Sequence, residues 1–426
     1  MPFWIHAAAG KHPDRIALEG LERRLTYAEL AAAAVDAARA LRRLGPEPGS
    51  RVALALPPGE DFVIAWHACV LTGHPPVPID LRLRADEQEQ RLAGATLAIR
   101  EPLTGGGPTT AGSACDGDPV VAVMHTSGTT ATPKPVELTQ SNFLASALGS
   151  AAALGLDQAE RWLCPMPLTH VGGLSIPVRS AIYATTAVLH GRFETEAVLD
   201  ELMDPGRRIT VVSLVPTMLA RLLDAGLSRP PTLRWALLGG GPIAPALIER
   251  AAAAGVPVAP TYGMTEACSQ IATFGRPLHG VEVIVADDGE LRVRGPIVST
   301  GALSADGWLH TGDLGRFDDH GRLEITGRKA DTIVTGGENV APVEVESVLL
   351  SHPAVADAAV HPRADPEWGE AVVATVVLRD GSVVEADELR TFCAERLARF
   401  KVPKSIAFAP ALPRTTSGKL VRRELV

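Results

Sequence analysis

Apolar positions take two textures along this chain. In the first part, helical stretches alternate with short apolar runs. Thr26-Tyr27-Ala28-Glu29 has the Thr-x-x-Glu spacing of a capping box, and the Ala- and Leu-rich run behind it predicts a helix to Leu44. Apolar runs at Val52–Leu56, Val77–Ile79 and Val120–Met124 predict strands. Such alternation predicts an α/β architecture with largely parallel sheets, because parallel neighbours are joined through a crossover, usually a helix. Residues 101–118, EPLTGGGPTTAGSACDGD, carry no periodicity and read as a connector. No internal repeat is found.

After about Gly280 the pattern changes to strand-like alternation broken by turn residues, in VEVIVADDGELRVRG and GWLHTGDLGRFDDHGRLEITGR. From Lys329 onward a compact unit can be drawn. DTIVTGG predicts a strand, and Pro342 opens a helix to Ser351. Strands follow at Ala354–His361 and Ala371–Leu378, then a helix over Ala386–Phe400 and a basic tail. The expected fold is α/β. A large N-terminal domain of mixed and parallel sheets with packed helices (1–327) is joined by a hinge to a small α+β C-terminal domain (328–426).

Composition excludes more than it identifies. At 46% hydrophobic and 21% charged, the 426 residues suit a soluble globular enzyme. The net charge of −9, with no basic block interleaved with aromatics, argues against a nucleic-acid partner. The N-terminal MPFWIHAAAGKHPD lacks a long apolar stretch, so neither a signal peptide nor a membrane span is expected. The cysteines Cys69, Cys115, Cys164, Cys268 and Cys393 form no CxxC pair. Neither a disulfide framework nor a zinc site is expected, and a reducing cytoplasm fits. A homodimer and a monomer are both left open. Of 40 basic residues only six are lysine, which makes Lys134 and Lys419 worth attention, because a compact ammonium does what a planar guanidinium does not.

HTSGTTATPKPVELT, His125–Thr139, follows the apolar run Val120–Met124. A loop of Thr126, Ser127, Gly128, Thr129 and Thr130 can turn amides and hydroxyls onto an anion, with Lys134 as counter-charge. It is not a Walker A loop, and a solvated Ser/Thr turn fits it equally well. Further segments favour a polyphosphate. In TYGMTEACSQ, Glu266 can hold Mg²⁺ that bridges phosphates, and Thr265 can bond a phosphate oxygen. HTGDLG offers Asp313, whose carboxylate can accept two ribose hydroxyls. GRKADTIVTGG carries Arg328 and the pair Gly336–Gly337, and PRTTSGKLVRREL carries Lys419. Singly, each of these also fits a turn, a cap or a solvated tail.

Together, in this order and over nearly the whole chain, the five segments resemble the adenylate-forming superfamily of acyl-CoA synthetases, luciferases and adenylation domains. The resemblance implies that a carboxylic acid attacks ATP to give an acyl-adenylate and pyrophosphate. A thiol, usually that of coenzyme A, then takes the acyl group after the C-terminal domain rotates. It also implies roles for residues. Thr126–Thr130 and Lys134 would cradle the triphosphate. Tyr262 would stack on the adenine, with Gly263 and Met264 also binding the nucleotide, and Gly239-Gly240-Gly241 would border the adenine and the acyl pocket. Thr265 and Glu266 would bind the α-phosphate and Mg²⁺, with Thr130 as a second metal ligand. Asp313 and Arg328 would hold the ribose, beside Gly336 and Gly337. Lys419 would bridge the carboxylate and the α-phosphate, suppressing the repulsion between two anions. CPMPLTHVGGLSIPVRSAIY would line the acyl pocket, with His170 in a catalytic and acid-binding role and Gly172, Gly173, Arg179 and Ser269 as further acid contacts.

The segments PLTHVGGLSIPVRS and YGMTEACSQ are similar to the o-succinylbenzoate–CoA ligase group of menaquinone biosynthesis, whose acid carries a second carboxylate that an arginine can meet. Three alternatives stay open. They are a CoA ligase for another aryl or acyl acid, an enzyme that loads a carrier protein, and a nucleotide-binding relative that no longer catalyses. Ala131 and Pro135 stand where the family usually has Gly, which predicts a stiffer phosphate loop. Ala330 stands where the family hinge often has Asp or Lys.

Overall fold

The computed structural model describes residues 3–105, 117–126, 134–414 and 420–425. The chain forms two compact units. The first comprises the chain to Gly240, Ala254–Glu282 and Arg294–Leu309; the second comprises Gly241–Ala253, Val283–Val293 and the chain from His310.

In the first unit the central element is a nine-stranded sheet. Six of its strands run parallel in the order Val258–Met264, Trp235–Leu238, Val211–Leu214, Arg161–Cys164, Thr186–Leu189 and Ile16–Glu19. The outer strands Ser269–Thr273, Arg276–Pro277 and Arg24–Thr26 are antiparallel. Inner strands such as VVSL, 211–214, are buried throughout and apolar but for Ser213, as suits strands covered on both faces. The helix Tyr27–Leu44 begins with the predicted capping box. Thr26 Oγ1 accepts the Glu29 amide at 3.2 Å, and Glu29 Oε2 accepts the Thr26 amide at 2.8 Å. Its face of Leu30, Ala34, Ala37 and Leu41 is buried in the main core.

The same unit holds a three-stranded parallel sheet (Pro76–Pro78, Val52–Leu54, Leu97–Ile99) and a hairpin of Val120–Thr126 with Lys134–Thr139. The hairpin corrects one expectation. Pro135 is expected within the phosphate loop, but it and Lys134 are the first residues of the return strand, opposite His125 and Thr126. The period-two pattern supports the strand: Val136 and Leu138 are buried and alternate with the exposed Pro135 and Glu137, and Lys134 is exposed at the strand's first position. Among the described residues the strand has no partner on its other side, an edge position that tolerates proline.

The second unit contains a four-stranded sheet, Glu282–Val285, Glu290–Arg294, Leu309–Phe317 and Leu323–Arg328. It also contains a five-stranded sheet in which the long hairpin Val355–Asp365/Gly369–Leu378 is joined by Ile333–Thr335, Glu338–Val340 and Ser405–Phe408. The helices Pro342–Leu350 and Ala386–Ala394 bury Val345, Leu349, Leu389 and Cys393 with Val360, Val372 and Ala374. The second helix was expected to reach Phe400 and stops six residues earlier. Ala398 (φ −58°, ψ 145°) has left the helical region, and Val402, which is extended, precedes Pro403, which disfavours that region there. Among the described residues no helix is long and apolar enough to cross a membrane.

Candidate active site

In the first unit the TYGMTEACSQ segment turns sharply. The strand ends at Met264, Thr265–Ala267 form one 3₁₀ turn, and Ser269 begins the antiparallel return. Gly263 pairs with Gln270, just past a register irregularity between Tyr262 and Gly263. A β-carbon on Gly263 would lie 1.6 Å from the Ser269 carbonyl oxygen, so no other residue fits without moving the backbone. Beyond the turn, Cys268 and Ser269 both have positive φ, 48° and 90°, unusual for non-glycine residues. The turn is held by the Ser299 amide, which donates to the Glu266 carbonyl at 2.8 Å, and by Ser146 Oγ, which donates to the Cys268 carbonyl at 2.8 Å.

Tyr262, Gly263, Met264, Thr265, Glu266 and Ser269 thus lie on one tight feature. The structure brings Gly239 to it: a β-carbon there would be 2.7 Å from Thr261 Cγ2, next to Tyr262. Gly240 follows with φ +79°, a left-handed exit from the strand Trp235–Leu238.

His170 caps the N-terminus of the helix Val171–Tyr183, with Nε2 3.9 Å from Asp80 Oδ2. Asp80 is buried and receives Arg82 Nε and Nη2 at 2.8 and 2.7 Å. Burial raises its pKa, but Arg82 outweighs this and holds Asp80 below the usual carboxylate range. Gly173 is required by packing, since a β-carbon would meet the Pro167 carbonyl at 2.1 Å; at Gly172 it would come within 3.2 Å of Met166 Cε. His125, opposite Pro135, is pushed down to about 4 by burial and by the charges of Arg91 and Arg51, and is neutral at pH 7.

Arg179 sits further along the same helix and is 2% exposed. It belongs to the core rather than to an open pocket wall. Its Nη2 donates to Ser146 Oγ at 3.0 Å, its guanidinium lies 5.7 Å from the Trp162 ring centre, and Nε has no hydrogen-bond partner among the described residues. Burial lowers its pKa from the ordinary arginine value. Ser146 therefore ties Arg179 to the turn after Glu266, and sequence reading missed it. Its only local trace is its place in the helix Gln140–Leu154, capped by Thr139 and Asn142.

In the second unit Asp313 and Arg328 are direct cross-strand partners, and Arg328 Nε donates to Asp313 Oδ1 at 2.6 Å. Asp313 is buried, its amide donates to Thr311 Oγ1 at 3.0 Å, and the neighbouring Gly312 amide donates to Glu290 Oε1 at 2.9 Å. Gly336 and Gly337 form the two-residue turn between Thr335 and Glu338, both with positive φ (59° and 84°). Trp368 packs over Gly336, where a β-carbon would be 2.7 Å from its ring. Ser127, Gly128, Thr129, Thr130 and Lys419 lie outside the described residues. Thr126 and Lys134 are paired strand ends, partly and fully exposed respectively.

Residues 5–101 and 99–307 match the AMP-binding enzyme family, and residues 344–419 match the AMP-binding enzyme C-terminal domain. This chain belongs to the AMP-binding enzyme family. It is similar along its whole length to 2-succinylbenzoate–CoA ligases. It is 39% identical to that of Bacillus licheniformis over 477 aligned positions, covering 100% of this chain and 99% of the relative. It is 37% identical to that of Bacillus subtilis over 476, covering 100% and 97%. Among solved structures it resembles o-succinylbenzoate CoA synthetase (MenE) from Bacillus subtilis in complex with the acyl-adenylate intermediate OSB-AMP, with TM-score 0.92, 36% identity and coverage of 100% and 98%. It also resembles ATP-bound MatB from Rhodopseudomonas palustris, with TM-score 0.89, 25% identity and coverage of 99% and 97%.

Proposed function

We propose that this chain is an ATP-dependent o-succinylbenzoate–CoA ligase of menaquinone biosynthesis, working in the cytoplasm through an acyl-adenylate. The observation that carries the reading is the end-to-end similarity to enzymes of that name. A carboxylate oxygen of the acid attacks the α-phosphorus of ATP, the bond to the bridging oxygen breaks, and pyrophosphate leaves. The sulfur of coenzyme A then attacks the acyl carbon, the bond to the adenylate oxygen breaks, AMP leaves and the thiol proton is released to solvent.

Residue roles are part of the same proposal. Thr126–Thr130 and Lys134 hold the β- and γ-phosphates. Tyr262, Gly263, Met264, Gly239 and Gly240 border the adenine, and Thr265 bonds the α-phosphate. Asp313 and Arg328 hold the ribose beside Gly336 and Gly337. His170, Gly172, Gly173 and Ser269 line the acid's place, with Arg179 behind them. Lys419 bridges the two anions during adenylation. Glu266 and Thr130 would hold Mg²⁺, which neutralises phosphate charge when bound. Among the described residues no three His, Cys, Asp or Glu side chains cluster around a cation. One carboxylate fits Mg²⁺, which takes its remaining ligands from water and phosphates. We place the boundary of the mobile C-terminal part, 328–426, at Gly327/Arg328.

The test offers purified protein ATP, Mg²⁺ and a panel of acids, with pyrophosphate followed with and without coenzyme A. Fastest release with o-succinylbenzoate and a CoA-dependent thioester is the expected result. Preference for a benzoate or fatty acid overturns the assignment of substrate. Release that never yields a CoA thioester points instead to loading of a carrier protein.

A further inference from the structure

Arg422 stands three residues beyond Lys419 in the chain, and its guanidinium is held on three sides. Nη1 donates to Asp331 Oδ2 at 3.0 Å. Nη2 donates to the two carboxylate oxygens of Glu346 at 2.7 and 2.9 Å, and Nε donates to the Val360 carbonyl at 3.1 Å. Glu346 is buried on the helix Pro342–Leu350 and also accepts the Val360 amide at 2.8 Å. Burial pushes this carboxyl up, and Arg422 opposes that shift without cancelling it.

Asp331 ends the short turn that follows Arg328. Arg328 itself reaches Asp313, and Lys329 fastens the other side of the turn to Asp288 at 2.6 Å and Glu290 at 3.5 Å. The position left between these two anchors is Ala330. The chain on either side of Lys419 is also tied down. Arg414 and Leu420 form an antiparallel bridge, the Val421 amide donates to the Pro413 carbonyl at 2.9 Å, and Arg414 Nη2 donates to Asp357 Oδ2 at 2.6 Å.

We propose that Arg422 is a positioning residue for adenylation: by joining the tail to Asp331 and Glu346, it fixes residues 420–425, which follow Lys419 in the chain. The proposal rests on the role given to Lys419 above. Arg422 touches no reacting group and acts through Lys419 alone. An arginine suits this task because its planar fork meets two carboxylates and a carbonyl at once. Misplacing a reacting group by about 1 Å costs on the order of 10²-fold in rate. Loss of the clamp therefore weakens the half-reaction that needs Lys419 and spares the one that does not.

The test measures the two half-reactions separately on the full chain. One is pyrophosphate release from ATP, Mg²⁺ and o-succinylbenzoate; the other is thioester formation from supplied o-succinylbenzoyl adenylate and coenzyme A. Arg422→Ala is expected to slow the first by about 10- to 100-fold and the second by less than about 3-fold. Arg422→Lys should recover part of the loss. In a Lys419→Ala background, Arg422→Ala should add nothing further, as expected for two residues acting as one unit. Asp331→Asn removes one partner and leaves the Glu346 pair intact, so it carries the same comparison should Arg422→Ala fail to fold. Equal loss in both halves, or a further loss on top of Lys419→Ala, overturns the proposal while the enzyme reading stands. A wild-type chain that releases no pyrophosphate with any acid removes that reading and this proposal with it.

Discussion

Gly263 lies against Ser269 so closely that a β-carbon would sit 1.6 Å from the Ser269 carbonyl oxygen. This contact closes the turn carrying Thr265 and Glu266. Gly263→Ala must push the strands Val258–Met264 and Ser269–Thr273 apart. It should cost about 1–3 kcal/mol, as overpacking does, and shift Glu266 with the backbone. Thermal denaturation and pyrophosphate release are both expected to fall. A variant with wild-type stability and rate would show that the strands separate without consequence.

Asp313 and Arg328 face each other across two strands with a 2.6 Å hydrogen bond. If they hold the ribose, Asp313→Asn loses a charged acceptor worth about 1.5–3 kcal/mol. The ATP KM should rise about 10- to 100-fold, with a smaller change in kcat. The decisive comparison uses 2′-deoxy-ATP. The wild type should discriminate against it and Asp313→Asn should not. Undiminished discrimination would remove Asp313 from the ribose site.

Local and distant features differed in how legible they were. Thr26 and Glu29 are three residues apart, so their capping box can be read directly, and Pro342 marks a helix start by its own ring geometry. Asp313 and Arg328 stand out as motif residues, but their contact depends on the register of Leu309–Phe317 against Leu323–Arg328. Ser146 touches Arg179 and Cys268, 33 and 122 positions away, and nothing near it in sequence records either contact. The helix end at Ala394 was misjudged because the following apolar residues Leu397 and Phe400 keep helical spacing. They pack on the core from a turn instead.

Ser146 bonds the buried Arg179 guanidinium and the turn carbonyl of Cys268 together. Ser146→Ala leaves both short of a partner, which should cost about 1–3 kcal/mol. In an Arg179→Met background the same change should cost less, because the stranded cation is gone. Denaturant unfolding of the four proteins gives the coupling. Full additivity would mean that the bond contributes nothing.

Glu201 accepts Arg207 Nε at 2.7 Å and lies 3.7 Å from His190 Nε2. Burial raises its pKa, but His190 and Arg207 outweigh that and bring it down to about 2 from 4.5. A depressed acid stabilises the folded state above its unfolded value. Here that contribution is present above about pH 4.5 and is lost as pH falls towards 2. The shift corresponds to about 3 kcal/mol at neutral pH. Glu201→Gln should destabilise at pH 7, with the gap to wild type narrowing below about pH 4.5. A gap that stays constant with pH would assign the loss to packing rather than to charge.

Pro135 occupies an edge strand opposite His125, facing outward, rather than the interior of the loop. Its ring limits the unfolded chain, and among the described residues no third strand pairs with this one, an edge position that tolerates proline. Pro135→Gly should therefore lower stability by roughly 0.4–1 kcal/mol through unfolded-state entropy. The stiff-loop expectation adds a second effect: freer movement beside Lys134 should raise the ATP KM. If thermal stability falls while KM and turnover for ATP stay fixed, proline serves the hairpin alone. If KM rises with no loss of stability, proline serves the phosphate loop and the edge-strand account fails.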